Sequence, residues 1–171
     1  MRYQPLKSSF FSANRMKLAG KLKPGSIALL FSNLQMPRNG DQYYPYRQHS
    51  DFYYLTGIEQ EKSILLLAPD APSGDQKEIL FILKSTALLE TWEGHKLTPD
   101  EATTISGIAN IRFVDEVNTV IKTLMPETEF VYFNQPEFPK FMPDVDSNDE
   151  INLRRFREKN PLYKYERLTP L

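Results

Sequence analysis

Four short apolar runs constrain the fold of this 171-residue chain more than any other feature. They are SIALLF (Ser26 to Phe31), SILLLA (Ser63 to Ala68), EILFIL (Glu78 to Leu83) and FVYF (Phe130 to Phe133). Runs this short, set among turn-forming residues, read as buried strands rather than helices. The turn-rich APDAPSGD between the second and third makes that pair an antiparallel hairpin. DFYYL (Asp51 to Leu55) and Ile111 to Val114 read as further strands, the former ending at Thr56-Gly57. Asn33 to Tyr46 reads as a long polar loop, with Pro37, Asn39-Gly40 and Pro45 as its turn formers.

Helical spacing fills the rest. Phe11, Met16, Leu18 and Leu22 predict a helix from about Phe10 to Leu22, capped by Ser8 or Ser9 and stopped by Pro24-Gly25. Short helices are expected at Thr86 to Trp92 and at Pro99 to Ile105. The second has a start signal in Thr98-Pro99-Asp100-Glu101: a cap, a proline at the first helical position and two acids at the N-terminus. Val117, Val120, Ile121 and Leu124 mark another helix by their three- and four-residue spacing. The order predicts an α/β (mixed α+β) fold, a mixed β-sheet flanked by helices.

From Asn134 onward the character changes. Pro136, Pro139 and Pro143 punctuate an extended segment, and the charged DVDSNDE then leads into Arg154, Arg155, Arg157 and Lys159. The chain is therefore divided into a domain over 1–143 and a charged tail or linker over 144–171. The tail is expected to be poorly packed, because it holds few core-forming residues.

Composition narrows the function classes. A net charge of -1 gives no bulk attraction to nucleic acid or anionic lipid. The absence of cysteine removes disulfides and thiolate metal sites and fits a reducing cytoplasm. No apolar run approaches the roughly 20 residues that cross a bilayer. The first 24 residues carry six cations and no acid. That pattern occurs in transit peptides and in basic surface helices, and the absence of a cleavage-like spacer before the first strand favours the helix.

GDQYYPYRQHSDFYYLTG (Gly40 to Gly57) is the most distinctive stretch. Five of the nine tyrosines lie in it, with Tyr46-Arg47-Gln48 and Asp51 among them. An aromatic core face accounts for Phe52 and Tyr54. It does not account for so many hydrogen-bonding groups, which ask for a partner or a site. The block Tyr44 to Gly57, preceded by Pro24-Gly25-Ser26 and followed by the hairpin Ile64 to Leu83 and by Glu90-Thr91-Trp92-Glu93-Gly94, resembles the N-terminal domain of the aminopeptidase P family. The resemblance covers about Ser8 to Phe133, and four elements in the same order make it specific.

The resemblance implies a creatinase/aminopeptidase P N-terminal domain with a ribonuclease H-like motif. It also implies a larger "pita-bread" catalytic domain as a covalent neighbour. That domain holds two divalent metals, typically manganese, and cleaves the bond before a proline at the second position of a peptide. On this reading the chain is non-catalytic, cytoplasmic and part of a homo-oligomer, a dimer or tetramer. It shapes the substrate cleft and mediates assembly. Trp92 is the matching tryptophan that reaches a neighbouring subunit's cleft, where a rigid aromatic face suits a proline ring. Asp41 matches a position near the cleft that pairs with an arginine of the catalytic domain. Tyr46 and Arg47 complete the candidate cleft or interface residues, with Arg47 alternatively a buried partner of Asp51. Trp92 has a plain alternative as a core anchor.

The residues offer little chemistry of their own. Only His49 and His95 are present, whereas a hydrolytic metal site needs three or more convergent ligands. There is no Gly-x-Ser-x-Gly, and the seven glycines form no phosphate-binding loop. The rival readings are the N-terminal domain of a prolidase or creatinase-like hydrolase, and a stand-alone peptide- or partner-binding module.

Overall fold

The four apolar runs are the four inner strands of one six-stranded sheet. The computed structural model describes residues 5–135, 146–169 and 171, with the backbone alone of 87–89. The strands are β1 (Ser26–Phe31), β4 (Ile64–Leu67), β5 (Glu78–Ile82), β6 (Asn110–Phe113), β7 (Phe130–Phe133) and β8 (Lys164–Arg167), in the order β6-β5-β4-β1-β7-β8. β1 pairs antiparallel with β4 and β4 with β5, as the hairpin predicts; β1–β7, β7–β8 and β5–β6 are parallel. Two further short strands, β2 (Pro37–Asn39) and β3 (Gln42–Tyr43), form a small hairpin inside the loop predicted from Asn33 to Tyr46.

Both faces of the sheet are covered, and this is why its strands are continuous apolar runs instead of alternating ones. Ile27, Leu29, Phe31, Ile64, Leu66 and Phe81 point to one face. There they meet Val120 and Leu124 of α5 (Val117–Leu124) and Leu153 and Phe156 of α6 (Asn148–Lys159). Ala28, Leu30, Leu65, Leu67, Leu80 and Tyr132 point to the other. That face is covered by Leu18 of α1 (Ser8–Ala19), Phe52 and Leu55 of α2 (Ser50–Thr56), and Ala102 and Ile105 of α4 (Pro99–Ser106). The remaining helix is α3 (Ala87–Glu93). The result is the expected mixed α/β architecture with flanking helices.

Three expectations are corrected. DFYYL is not a strand but the helix α2. Phe52 and Leu55, three apart, turn inward, while Tyr54 is half exposed. His49 caps its N-terminus by accepting from the Asp51 amide, and Thr56-Gly57 is its C-cap, with Gly57 at a φ of 70°. Aromatic content suits a strand as readily as a helix, but a glycine in the left-handed region ends a helix. A Cβ at Gly57 would lie 2.4 Å from the Phe11 ring, so α1 and α2 require glycine there.

The second correction concerns α1. It begins at Ser8 without a side-chain cap and ends at Ala19, and it is not merely a basic surface helix. Arg15 is fully buried. Its Nη1 donates to the carbonyls of Leu55 (2.8 Å) and Ser106 (2.9 Å), and its Nε pairs with Glu78 at 2.9 Å. These carbonyls lie in the last turns of α2 and α4, where a cation is favoured. Both helices end in the same device: Thr56 and Ser106 each bond back to a carbonyl four residues earlier and accept the amide two residues later.

The third correction concerns the tail. The segment with Pro136, Pro139 and Pro143, and the boundary at 143/144, lie outside the described residues. Residues 146–169 are packed. Ser147 and Glu150 form a capping box that starts α6, and Leu153 and Phe156 dock on the sheet. β8 then extends the sheet beside β7. An edge strand needs one neighbour for its backbone bonds, so a charged sequence with apolar residues on one side suffices.

Candidate functional site

The loop from Asn33 to Tyr46, the turn after α2 and the segment after α3 meet in one open groove. Gln48 organises it from below. This buried side chain accepts from the amides of Asn33 (2.9 Å) and His49 (2.8 Å) and donates to the carbonyls of Ile58 (3.1 Å) and Gln60 (3.2 Å). It thereby ties the loop, the start of α2 and the turn after it into one unit. Asp51, at the first turn of α2, accepts from Asn134 Nδ2 at 2.9 Å. These bonds answer why the block is so rich in polar groups, because Gln48, His49, Asp51 and Thr56 serve the scaffold.

The groove has an outer and an inner compartment that share Gln35, Glu61 and Lys96. The outer one is bounded by Trp92, Asp41, Tyr43 and Leu34. Trp92 projects from α3 with 82% of its surface exposed, which excludes the core-anchor reading within this chain. Asp41 is exposed at the tip of the β2–β3 hairpin. Lys96 forms the floor between the compartments, its Nζ 3.7 Å from Glu61 and 3.4 Å from Glu93. Beside it, Lys62 has a φ of 54°, uncommon for a residue with a side chain.

Tyr46 lines the inner compartment. Its hydroxyl donates to the Asn33 carbonyl at 3.3 Å, and burial pushes its pKa up to about 12, so it stays a neutral donor. Arg47 is exposed and lines neither compartment. Asp51 is not its partner: that carboxylate faces Asn134 and lies 3.9 Å from His49. The structure thus brings Trp92, Asp41 and Tyr46 to one groove and leaves Arg47 outside it. Gln60, deep in the inner compartment, was not singled out by sequence, and nothing in its local pattern marks it.

His95 Nε2 sits 3.0 Å from Glu101, whose carboxyl is held below its usual range by bonds from the Thr98 backbone and hydroxyl and from His95. Among the described residues no three His, Asp or Glu side chains are grouped to hold a metal, so these residues do not fit a di-metal centre. One further acid is unusual. Asp149 is buried at the start of α6, accepts from the Phe31 amide at 3.2 Å, and is pushed up to about 8 by burial.

The model of the family described as "Aminopeptidase P, N-terminal domain" matches residues 11–132. Xaa-Pro aminopeptidases of Haemophilus influenzae and Escherichia coli are 29% and 31% identical over 158 and 128 residues, 92% and 75% of this chain. The chain spans only 36% and 29% of their lengths. A solved structure from Bacillus anthracis, assigned as an aminopeptidase P, superposes with a TM-score of 0.85 at 26% identity, covering 96% of this chain and 39% of that one. Zinc-substituted E. coli aminopeptidase P in complex with product gives 0.71 at 25% identity, covering 96% and 37%. No described helix is long and apolar enough to cross a membrane.

Proposed function

The chain belongs to the aminopeptidase P N-terminal domain family, and from that premise we propose that it is the accessory, non-catalytic domain of a cytoplasmic, metal-dependent Xaa-Pro aminopeptidase. The observation that carries the reading is Trp92, 82% exposed on α3 and beside Asp41 in an open groove. Folding alone does not place a tryptophan in water, because burying one removes a large apolar area. A partner surface that covers it gives it a use.

In this role Trp92 supplies a flat wall for the proline ring or the amide beside it, across a contact between subunits of a homo-oligomer. Asp41, exposed at a hairpin tip, pairs with an arginine of the covalent catalytic neighbour. That neighbour holds two divalent metals, with manganese as the expected ion, and carries the hydrolysis. The residues of this chain bind, orient and exclude water.

The test uses the two-domain enzyme and its Trp92→Ala variant on a peptide headed Xaa-Pro. The variant is expected to lose about tenfold or more in kcat/KM, the loss expected when an aromatic anchor worth about 1.4 kcal/mol is removed. An unchanged kcat/KM in a folded variant overturns the reading.

A further inference from the structure

Trp92 serves as a wall only if α3 holds it still, and the groove shows how that helix is tied down. Two consecutive residues after α3 are clasped by two consecutive residues after α2. Gln60, buried, takes the Leu97 amide on its Oε1 at 2.7 Å, and Glu61 faces the Lys96 ammonium at 3.7 Å. The same ammonium lies 3.4 Å from Glu93, the last residue of α3 and the chain neighbour of Trp92. The clasp is itself fixed to the scaffold. Gln48 donates to the Gln60 carbonyl and accepts from the Asn33 amide, at the root of the loop that carries Asp41. One chain of contacts thus runs from the base of that loop to Trp92.

Burial decides which charged contact carries weight. Exposed ion pairs contribute little, because water screens them and two long side chains must be ordered. The side chains of Lys96 and Glu61 are only 12% and 14% exposed, so their attraction acts at a lower effective dielectric. Removing the cation would leave Glu61 nearly buried without a counter-charge, which is strongly unfavourable. Lys62, next to Glu61, has a φ of 54°, a region that a lysine adopts when its surroundings impose it. The other charged tie to α3, His95 with Glu90 at 3.9 Å, joins two exposed side chains and belongs to the weak class.

We infer that Lys96 is the positioning residue of the groove: through its ion pairs with Glu61 and Glu93 it sets Trp92 against Asp41 and fixes the width between them. What that width receives rests on the proposed function, whereas the restraint on α3 does not. Lys96 acts through Trp92 and needs no contact with the substrate.

Trp92 is the one tryptophan of the chain, so its fluorescence reports α3 alone. The first experiment is time-resolved fluorescence anisotropy of the 171-residue chain. Lys96→Met is expected to give about a doubling in amplitude of the fast, nanosecond component, as a loosened element moves on that timescale. Lys96→Arg keeps the charge and should restore the parent amplitude. Glu93→Gln changes an exposed side chain and leaves the Glu61 pair intact, so it folds even if Lys96→Met does not, and it should move the amplitude in the same direction. His95→Gln should leave it at the parent value. The second experiment is kinetics of the two-domain enzyme on a peptide headed Xaa-Pro. Lys96→Met is expected to lower kcat/KM about fivefold through a higher KM, because a displaced wall weakens ground and transition states alike. In a Trp92→Ala background it should have no further effect, as for two residues that act as a unit.

An unchanged anisotropy in both Lys96→Met and Glu93→Gln overturns the inference and leaves the proposed function standing. A freed Trp92 in Lys96→Met, with an undiminished kcat/KM in Trp92→Ala, overturns the proposed function and keeps Lys96 as the restraint on α3. Fully additive losses in the double variant place the effect of Lys96 elsewhere in the fold and overturn its positioning role. A His95→Gln variant that frees Trp92 as much as Lys96→Met does overturns the assignment to Lys96.

Discussion

The aromatic block splits into two halves with opposite fates. Its second half, from Gln48 to Gly57, is folded into the scaffold. Phe52, Leu55 and Thr56 are buried, and the polar side chains of Gln48, His49, Asp51 and Thr56 all find partners. Its first half, from Gly40 to Arg47, is mostly exposed, with Tyr43 and Tyr44 each more than half open to solvent. The two halves have similar composition. Position relative to the sheet, rather than residue type, decides which polar groups are scaffold and which remain for a partner.

The sharpest way to break the contrast is Gln48→Leu. It would strand two amides and two carbonyls that the carboxamide now satisfies. The expected loss is about 3 kcal/mol of stability, read by urea or thermal unfolding. A loss under about 0.5 kcal/mol would show that Gln48 is not the organising residue.

Asp149 tests the same rule in the tail, where a polar group is buried with less support. Burial pushes its carboxyl up to about 8, against an ordinary value of 3.8. The folded chain then holds a proton that the unfolded chain releases once the pH passes about 4. Stability contributed by this group is therefore lost as the pH rises from about 4 to about 8, by at most about 1.4 kcal/mol per pH unit, and the loss levels off above that. Asp149→Asn should flatten the slope over this window. A variant whose unfolding free energy keeps the parent's pH slope would show that Asp149 is already ionised in the fold.

The smallest effect on stability belongs to the exposed side. Trp92→Ala is expected to change the stability of this chain by no more than about 0.5 kcal/mol, as for ordinary surface positions. A drop of about 3–5 kcal/mol, typical of a buried tryptophan, would return Trp92 to the core.

What the sequence alone determined is local or repetitive: four apolar runs for the inner strands, the β4–β5 hairpin, the capping box of α4, the spacing of α5 and the family block. Each signal sits within a few residues, so one strand or one helix turn displays it. Tertiary structure decided the rest. Arg15 reads as a surface cation until α2 and α4 turn their carbonyl ends toward it from 40 and 91 residues away. DFYYL reads as a strand until the space beside β1 is filled and Phe52 and Leu55 find their pocket at helical spacing. The tail reads as a linker until β7 offers β8 a free edge. Gln60 becomes a buried tie only when Leu97, 37 residues on, donates its amide to the side-chain oxygen. In each case the deciding partner is distant in sequence, and the free energy of the contact depends on who arrives there, which no local pattern encodes.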